Sequence, residues 1–162
     1  MFCVVAVADN YAIGRGGDLL FHISPDLKRF KALTTGKAVI MGKKTLLSFP
    51  KSKPLPNRTN YVLSRNPDYE VEGAIVLHSL SEAKKVIDSY GKDEIACIGG
   101  AEIYRLLLPY VDTIELTRIY ASVPDADTFF PELKDDEWNC EALSEILEDN
   151  KIKYQFLKYT RK

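Results

Sequence analysis

Four short stretches of this chain carry residue types that could do chemistry. Asp26 stands in "SPDLKRFKALTTG", at the start of a helical pattern whose Phe30 and Leu33 fall on the same side. A carboxylate turned toward that apolar side must find a partner, and desolvation would raise its proton affinity, as binding and acid–base sites require. The same position also suits an acid that only complements the helix dipole. "IMGKKT" sets Lys43, Lys44 and Thr45 after Gly42, where a strand gives way to a helix. Free amides, the dipole and two cations there favour a phosphate, while a solvated basic helix start would read identically. "LSRN" ends a strand pattern in Ser64 and Arg65. An arginine fork matches a phosphate monoester, and a lone loop arginine is also ordinary surface. In "ACIGGAEIY", Gly99 and Gly100 separate a strand from a helix, which points to close approach of something to the backbone. The stretch is neither G-x-G-x-x-G nor a P-loop, and the glycine spacing before Lys43 excludes a P-loop there too.

The other polar residues exclude several chemistries. His22 and His78 are far apart and, with Cys3, Cys97 and Cys140, lack metal-ligand spacing, so no metal is expected. No G-x-S-x-G elbow or Ser–His pair suggests nucleophilic hydrolysis. Trp138 and most tyrosines read as strand packing. With 22 basic against 23 acidic residues, nothing draws the chain to nucleic acid or an anionic membrane. Three scattered cysteines argue against a disulfide framework and for a reducing cytoplasm, with Cys3 and Cys97 as small buried hydrophobes. No apolar run approaches transmembrane length, and the first is too short and unflanked to be a signal peptide.

The elements that must position these residues follow from periodicity. "FCVVAVA" (2–8), "AVIM" (38–41), "TNYVLS" (59–64), "AIVL" (74–77), "EIACIG" (94–99) and "TIELTRIYA" (113–121) read as strands. Helices are expected from Ser24 as N-cap with Pro25 first, from "KKTLLSF", from the capping box "SLSE" (79–82), and over "AEIYRLLLP" up to Pro109. In the third, Leu80, Ala83, Ile87 and Tyr90 share a face. "PKSKPLPN" is an irregular loop. "WNCEALSEI" and "KYQFLKYT" look like an antiparallel hairpin at a sheet edge. The expected fold is α/β: one domain over 1–162, with a mixed, mostly parallel eight-stranded sheet, flanking helices and that C-terminal hairpin. Ligands of such sheets bind beyond the strands' carboxyl ends, here the loops after Ala8, Met41, Leu63 and Ile98.

The ordered motifs "VVAVADNYAIG", "SPDLKRFKALTTGKAVIMGKKT", "PLPNRTNYVLSR", "IGGAEIY", "TRI" and "DADTFFP" resemble the dihydrofolate reductase family of the bacterial chromosomal kind, from Phe2 to about Arg161. The resemblance implies NADPH-dependent reduction of 7,8-dihydrofolate to 5,6,7,8-tetrahydrofolate by a cytoplasmic, monomeric enzyme open to antifolates. It implies a cis peptide at Gly99–Gly100, between substrate and cofactor, with the amides from Ala101 through Glu102 and Ile103 to Tyr104 facing the pyrophosphate. Asp26 would pair with the pteridine ring nitrogen and amine, supported by Thr117. Val5 and Ile98 would offer backbone carbonyls. Leu27, Phe30, Leu55 and Phe49 would wall the cleft, with Ala6 and Tyr104 also at the substrate, and Arg58 would fork onto the glutamate α-carboxylate. Ala6, Ile13 and Gly14 match the nicotinamide contacts. Lys44 and Thr45 match the pyrophosphate site, while Lys43, Leu63, Ser64 and Arg65 surround the adenosine 2′-phosphate end.

The same likeness implies hydride transfer to C6 and water-borne protonation of N5, with Asp26 setting the electrostatics. The segment Asp9–Ile23, hinged at Gly14, Gly16 and Gly17, would be a lid over the nicotinamide. Leu20 and Phe21 stand at the catalytic end where relatives have Pro-Trp, which removes an indole N–H from the pterin's water network. Lys43 replaces a more directional arginine, and Glu102 replaces a basic or neutral residue. The alternatives are a reductase of a ribosylaminopyrimidine in riboflavin synthesis with the same fold, and a non-catalytic nucleotide-binding domain.

Overall fold

The computed structural model describes residues 1–15 and 18–162, with backbone alone for Asp18 and Leu19. The main sheet begins with β1 (Phe2–Val7), whose continuous valine-rich run is covered on both faces. A 3₁₀ turn at Asp9–Tyr11 leads to β2 (Ala12–Arg15) and β3 (Asp18–Leu19). Helix α1 (Ser24–Thr34) follows, then β4 (Ala38–Gly42) and the five-residue α2 (Lys43–Leu47). Next come β5 (Thr59–Leu63), β6 (Ala74–Leu77), α3 (Leu80–Asp88) and β7 (Ile95–Cys97). Helix α4 (Ala101–Leu107) precedes β8 (Thr113–Ile119), β9 (Thr128–Phe129), β10 (Trp138–Ala142), β11 (Leu147–Asp149) and β12 (Ile152–Arg161).

The strand order is β10-β12-β8-β1-β7-β4-β5-β6, with β11 added on β12. From β8 to β6 every neighbouring pair is parallel, while β12 runs antiparallel to β8 and to β10. The expected mixed sheet and terminal hairpin are therefore present. The chain leaves β1 toward β4 and later crosses over β1 from β7 to β8, so the carboxyl ends of β1, β4 and β7 meet around one crevice. The core under it is dense: Val39, Ile40, Met41, Ile95, Ala96 and Cys97 are wholly buried on the two central strands. Cys3 faces Cys97 in register, and both are free thiols. Among the described residues, no helix is long and apolar enough to cross a membrane.

Several local expectations change. Ile23, not Ser24, is the N-cap of α1, and its apolar side chain offers no acceptor, while Pro25 leaves one orphan N–H fewer. Ser79 does cap α3, accepting from the Glu82 N–H at 3.1 Å. Glu82 closes no box, since its carboxylate accepts from the His78 N–H instead, at 2.8 Å. Leu80 stays 37% exposed, off the buried face formed by Ala83 and Ile87. Pro50–Ser52 forms a 3₁₀ turn inside the proline-rich loop. The largest departure is the segment after β1. It is not simply a loop, because β2 pairs with both β3 and β9 in a small antiparallel sheet.

Candidate functional site

Asp26 sits in the first turn of α1, and the Thr117 hydroxyl on β8 donates to its Oδ1 at 2.5 Å. Thr117 is 4% exposed and pairs in register with Ala6 of β1 and Phe156 of β12. The carboxylate is thus tied to mid-sheet by a residue 91 positions away, which an acid serving only the helix dipole would not need. Burial raises its proton affinity above that of an ordinary aspartate, opposed in part by the Thr117 hydrogen bond and then by the Arg29 guanidinium.

Around this acid the structure gathers only part of the expected apolar wall. Phe30, Phe49, Leu55 and Ile98 pack in one cluster with Val39, Met41 and Leu46, and Leu33 joins them. Leu27 is 47% exposed and open to solvent. Ala6, Leu20 and Phe21 belong to a separate cluster with Ile23 and Ile119. Val5, Ile13, Leu63 and Ile103 lie with a third, which is the largest. Arg58 is held by its Nε on Thr34 Oγ1 (3.0 Å), one terminal nitrogen on the Pro56 carbonyl (2.8 Å) and the other on Thr35 Oγ1 (3.3 Å). Five N–H groups less these three leaves one on each terminal nitrogen, the pair a carboxylate can accept from.

The glycine pair lies across the crevice. The Gly42 N–H donates to the Gly99 carbonyl at 2.8 Å, and the Gly99–Gly100 peptide is cis. A Cβ on Gly42 would come 2.9 Å from Ile103 Cγ1, and one on Gly100 would lie 3.5 Å from Thr45 Oγ1. Gly99 has φ +117°, and a Cβ there would sit 3.2 Å from the Tyr104 ring. That ring cannot easily yield, because it is buried and its hydroxyl donates to the Val4 carbonyl at 2.7 Å. Gly99→Ala is therefore expected to cost about 2 kcal/mol of stability. An unchanged urea midpoint would show that the ring moves aside. Tyr104 itself departs from expectation. Its N–H donates to the Gly100 carbonyl at 2.9 Å, so this amide cannot also face a ligand as Ala101, Glu102 and Ile103 at the start of α4 can.

At the far end, Lys43 Nζ lies 4.7 Å above the Tyr69 ring centroid. The Ser64 carbonyl is 3.0 Å from His78 Nδ1, which must carry the proton because a carbonyl only accepts. Ser64 Oγ accepts from the Asn66 N–H at 3.3 Å, and Arg65 is exposed. Tyr69 and His78 also line an open surface groove of about 510 Å³ with Pro67, Val71 and Val76. No motif singles out either residue, and His78 stands in the sequence only as a histidine too far from others to bind a metal. Lys44 is exposed and Thr45 half-buried at the start of α2.

On the segment after β1, Asp9 pairs with Arg118 at 2.7 Å, Arg15 with Asp125 at 3.0 Å, and the Asp127 N–H donates to the Gly14 carbonyl at 3.1 Å. The expected hinge positions Gly16 and Gly17 lie outside the described residues. Among the described residues, no cluster of His, Cys, Asp and Glu could hold a metal ion.

A mostly parallel sheet with a half-buried acid tied to its centre, and glycines where its strand ends meet, defines an α/β protein that binds ligands across its carboxyl edge. The sequence matches the family model for dihydrofolate reductase over residues 1–161. It is 41% identical over 161 residues to the dihydrofolate reductase of Haemophilus influenzae, covering 98% of this chain and 97% of that protein. Against the Bacillus subtilis dihydrofolate reductase, identity is 36% over 161 residues, with 98% and 93% covered. Dihydrofolate reductase from Enterococcus faecalis, complexed with NADP(H) and RAB-propyl, has the same fold, with a TM-score of 0.85 at 32% identity, covering 99% of this chain and 95% of that one. The chain belongs to the dihydrofolate reductase family.

Proposed function

We propose that this chain catalyses reduction of 7,8-dihydrofolate to 5,6,7,8-tetrahydrofolate with NADPH, acting in the cytoplasm as a monomer whose residues 1–162 form one working domain. The observation that carries this reading is the Asp26 carboxylate held against the sheet by Thr117. One Asp26 oxygen takes the Thr117 hydroxyl, and the carboxylate retains acceptor capacity for the adjacent N–H and NH₂ of a pteridine. Phe30, Phe49, Leu55 and Ile98 then supply apolar wall for the rings, and Arg58 supplies two N–H groups for the carboxylate tail. Val5 and Ile98 carry backbone carbonyls for the remaining amine.

The other half of the crevice suits a phosphate-bearing dinucleotide. Gly42 and Gly99 let Ile103 and the Tyr104 ring pack against the backbone where the strand ends meet, and Lys43, Lys44, Thr45, Ser64 and Arg65 offer cations and hydroxyls on that side. Bound NADPH supplies the hydride that reaches C6. The protein's part is to orient the pteridine through Asp26, to bias its electrostatics toward N5 protonation by water, and to exclude bulk solvent. Leu20 and Phe21 contribute apolar cover without an indole donor.

The test is NADPH oxidation with dihydrofolate as acceptor. Turnover is expected with dihydrofolate and none with a ribosylaminopyrimidine, and the reverse would overturn the reading. The same assay reads the phosphate end. Arg65→Ala is expected to raise KM for NADPH several-fold and to leave NADH nearly unchanged, because a 2′-phosphate is the only group that distinguishes the two. Equal losses with both cofactors would remove Arg65 from that role.

A further inference from the structure

Arg29 lies three residues beyond Asp26 on α1, and so on the same side of the helix. Its Nη2 donates to Glu115 Oε2 at 2.6 Å, and its guanidinium stacks 4.5 Å from the Phe156 ring centroid on β12. Glu115 precedes Thr117 by two residues on β8, so both project from one face of the sheet. Two polar pairs, Asp26–Thr117 and Arg29–Glu115, therefore stand side by side between the same helix and the same strand. The ion pair is sheltered, with side-chain exposures of 23% and 13%, so solvent screens it less than a surface pair. Lys158, the register partner of Glu115 on β12, adds its Nζ at 3.9 Å to the other carboxylate oxygen.

We infer that Arg29 is a positioning residue for the reaction: one turn along α1 from Asp26 but drawn onto Glu115, it brings its charge to the site without occupying the acid, and so sets the pH range over which the site works. This rests on the reading of Asp26 as the acid of the site. A guanidinium bound directly to Asp26 would occupy the acceptor positions needed by a pteridine and hold the carboxylate ionised. With no cation nearby, burial would raise its proton affinity further, opposed only by the Thr117 hydrogen bond. Glu115 and Lys158 keep the balance between the two. The two phenols that feel the Asp26 charge do not change charge with it. Tyr104 on α4 and Tyr154 on β12 are pushed above the usual phenol range, chiefly by burial and in part by Asp26 itself, and stay neutral. His22, ahead of α1, is exposed.

The experiment follows the Asp26 carboxyl by ¹³C NMR in the ligand-free protein, together with the pre-steady-state rate of NADPH oxidation across pH. Arg29→Gln keeps a donor for Glu115 and removes only the charge, and its carboxyl midpoint is expected to rise by about one pH unit. Glu115→Gln removes a negative charge and frees Arg29, so its midpoint is expected to fall. Arg29→Lys keeps the cation and should titrate near the wild type. The inference is overturned if neither Arg29→Gln nor Glu115→Gln, each folded by circular dichroism, moves the carboxyl midpoint. It is overturned equally if Arg29→Lys shifts as far as Arg29→Gln, because packing rather than charge would then be responsible. A carboxyl midpoint that moves without the rate profile supports the Arg29 coupling and instead removes Asp26 as the acid governing the rate.

Discussion

Asp26→Asn is expected to lower turnover at neutral pH by about 100-fold or more while leaving the fold intact. The Thr117 hydroxyl needs an acceptor, and asparagine keeps one in its Oδ1. That orientation turns the NH₂ outward, so a donor meets the pteridine's own donors where two acceptors are required. Orientation and polarisation of the ring are lost together. As pH falls, free substrate becomes protonated in solution and depends less on the enzyme, so activity of the variant should partly recover. The wild type should instead show one ionisation governing its rate, at an apparent pKa above the aspartate range, because burial raises the proton affinity of Asp26.

Stability moves the other way. With its proton affinity raised on folding, native Asp26 binds more protons than the unfolded chain between the ordinary aspartate range and its own. Its ionised form therefore costs stability above that window, and the cost disappears as pH falls through it. Asparagine carries no such cost, so Asp26→Asn should unfold at equal or higher urea than wild type at pH 7, with the difference gone below about pH 4. Near-normal turnover across the pH range would defeat the assignment, and so would a variant that does not fold.

Arg58→Leu is expected to weaken dihydrofolate binding by about 10- to 150-fold, the loss of a forked, charge-assisted pair. A small antifolate without a glutamate tail should bind almost as before. The geometry favours a clean result. Arg58 is aimed by Thr34, Thr35 and Pro56, but Thr34 Oγ1 also donates to the Phe30 carbonyl at 2.8 Å and is not stranded when the guanidinium goes. Equilibrium titration with both ligands measures the difference. If both weaken alike, Arg58 serves the loop around Pro56 rather than a ligand.

Much of the framework was legible in the residues alone. Runs such as Val39–Met41 and Ile95–Cys97 are apolar on both faces because a parallel sheet is covered on both sides, and they lie wholly buried. The Ser79 cap, the glycine break at Gly99–Gly100 and the terminal hairpin were local signals, and all three stand in the structure. The candidate acid was also visible, since the side of a helix is set by spacing along one element.

What joined Asp26 to Thr117, Arg29 to Glu115 and His78 to Ser64 was decided by tertiary structure. The first two pairs span 91 and 86 positions. They meet only because the crossover from β7 places β8 next to β1, an ordering to which no local period is sensitive. The small sheet of β2, β3 and β9 was hidden for the same reason. Its strands are two to four residues long, too short for any pattern, and they exist through pairing with one another. Local pattern along the chain specified the main strands, the helices and which side of α1 carries an acid. Family likeness pointed to Thr117, but the packed sheet alone brought that hydroxyl onto the acid and Arg29 onto Glu115, because hydrogen bonds and ion pairs depend on distance in space and local pattern reports only distance along the chain.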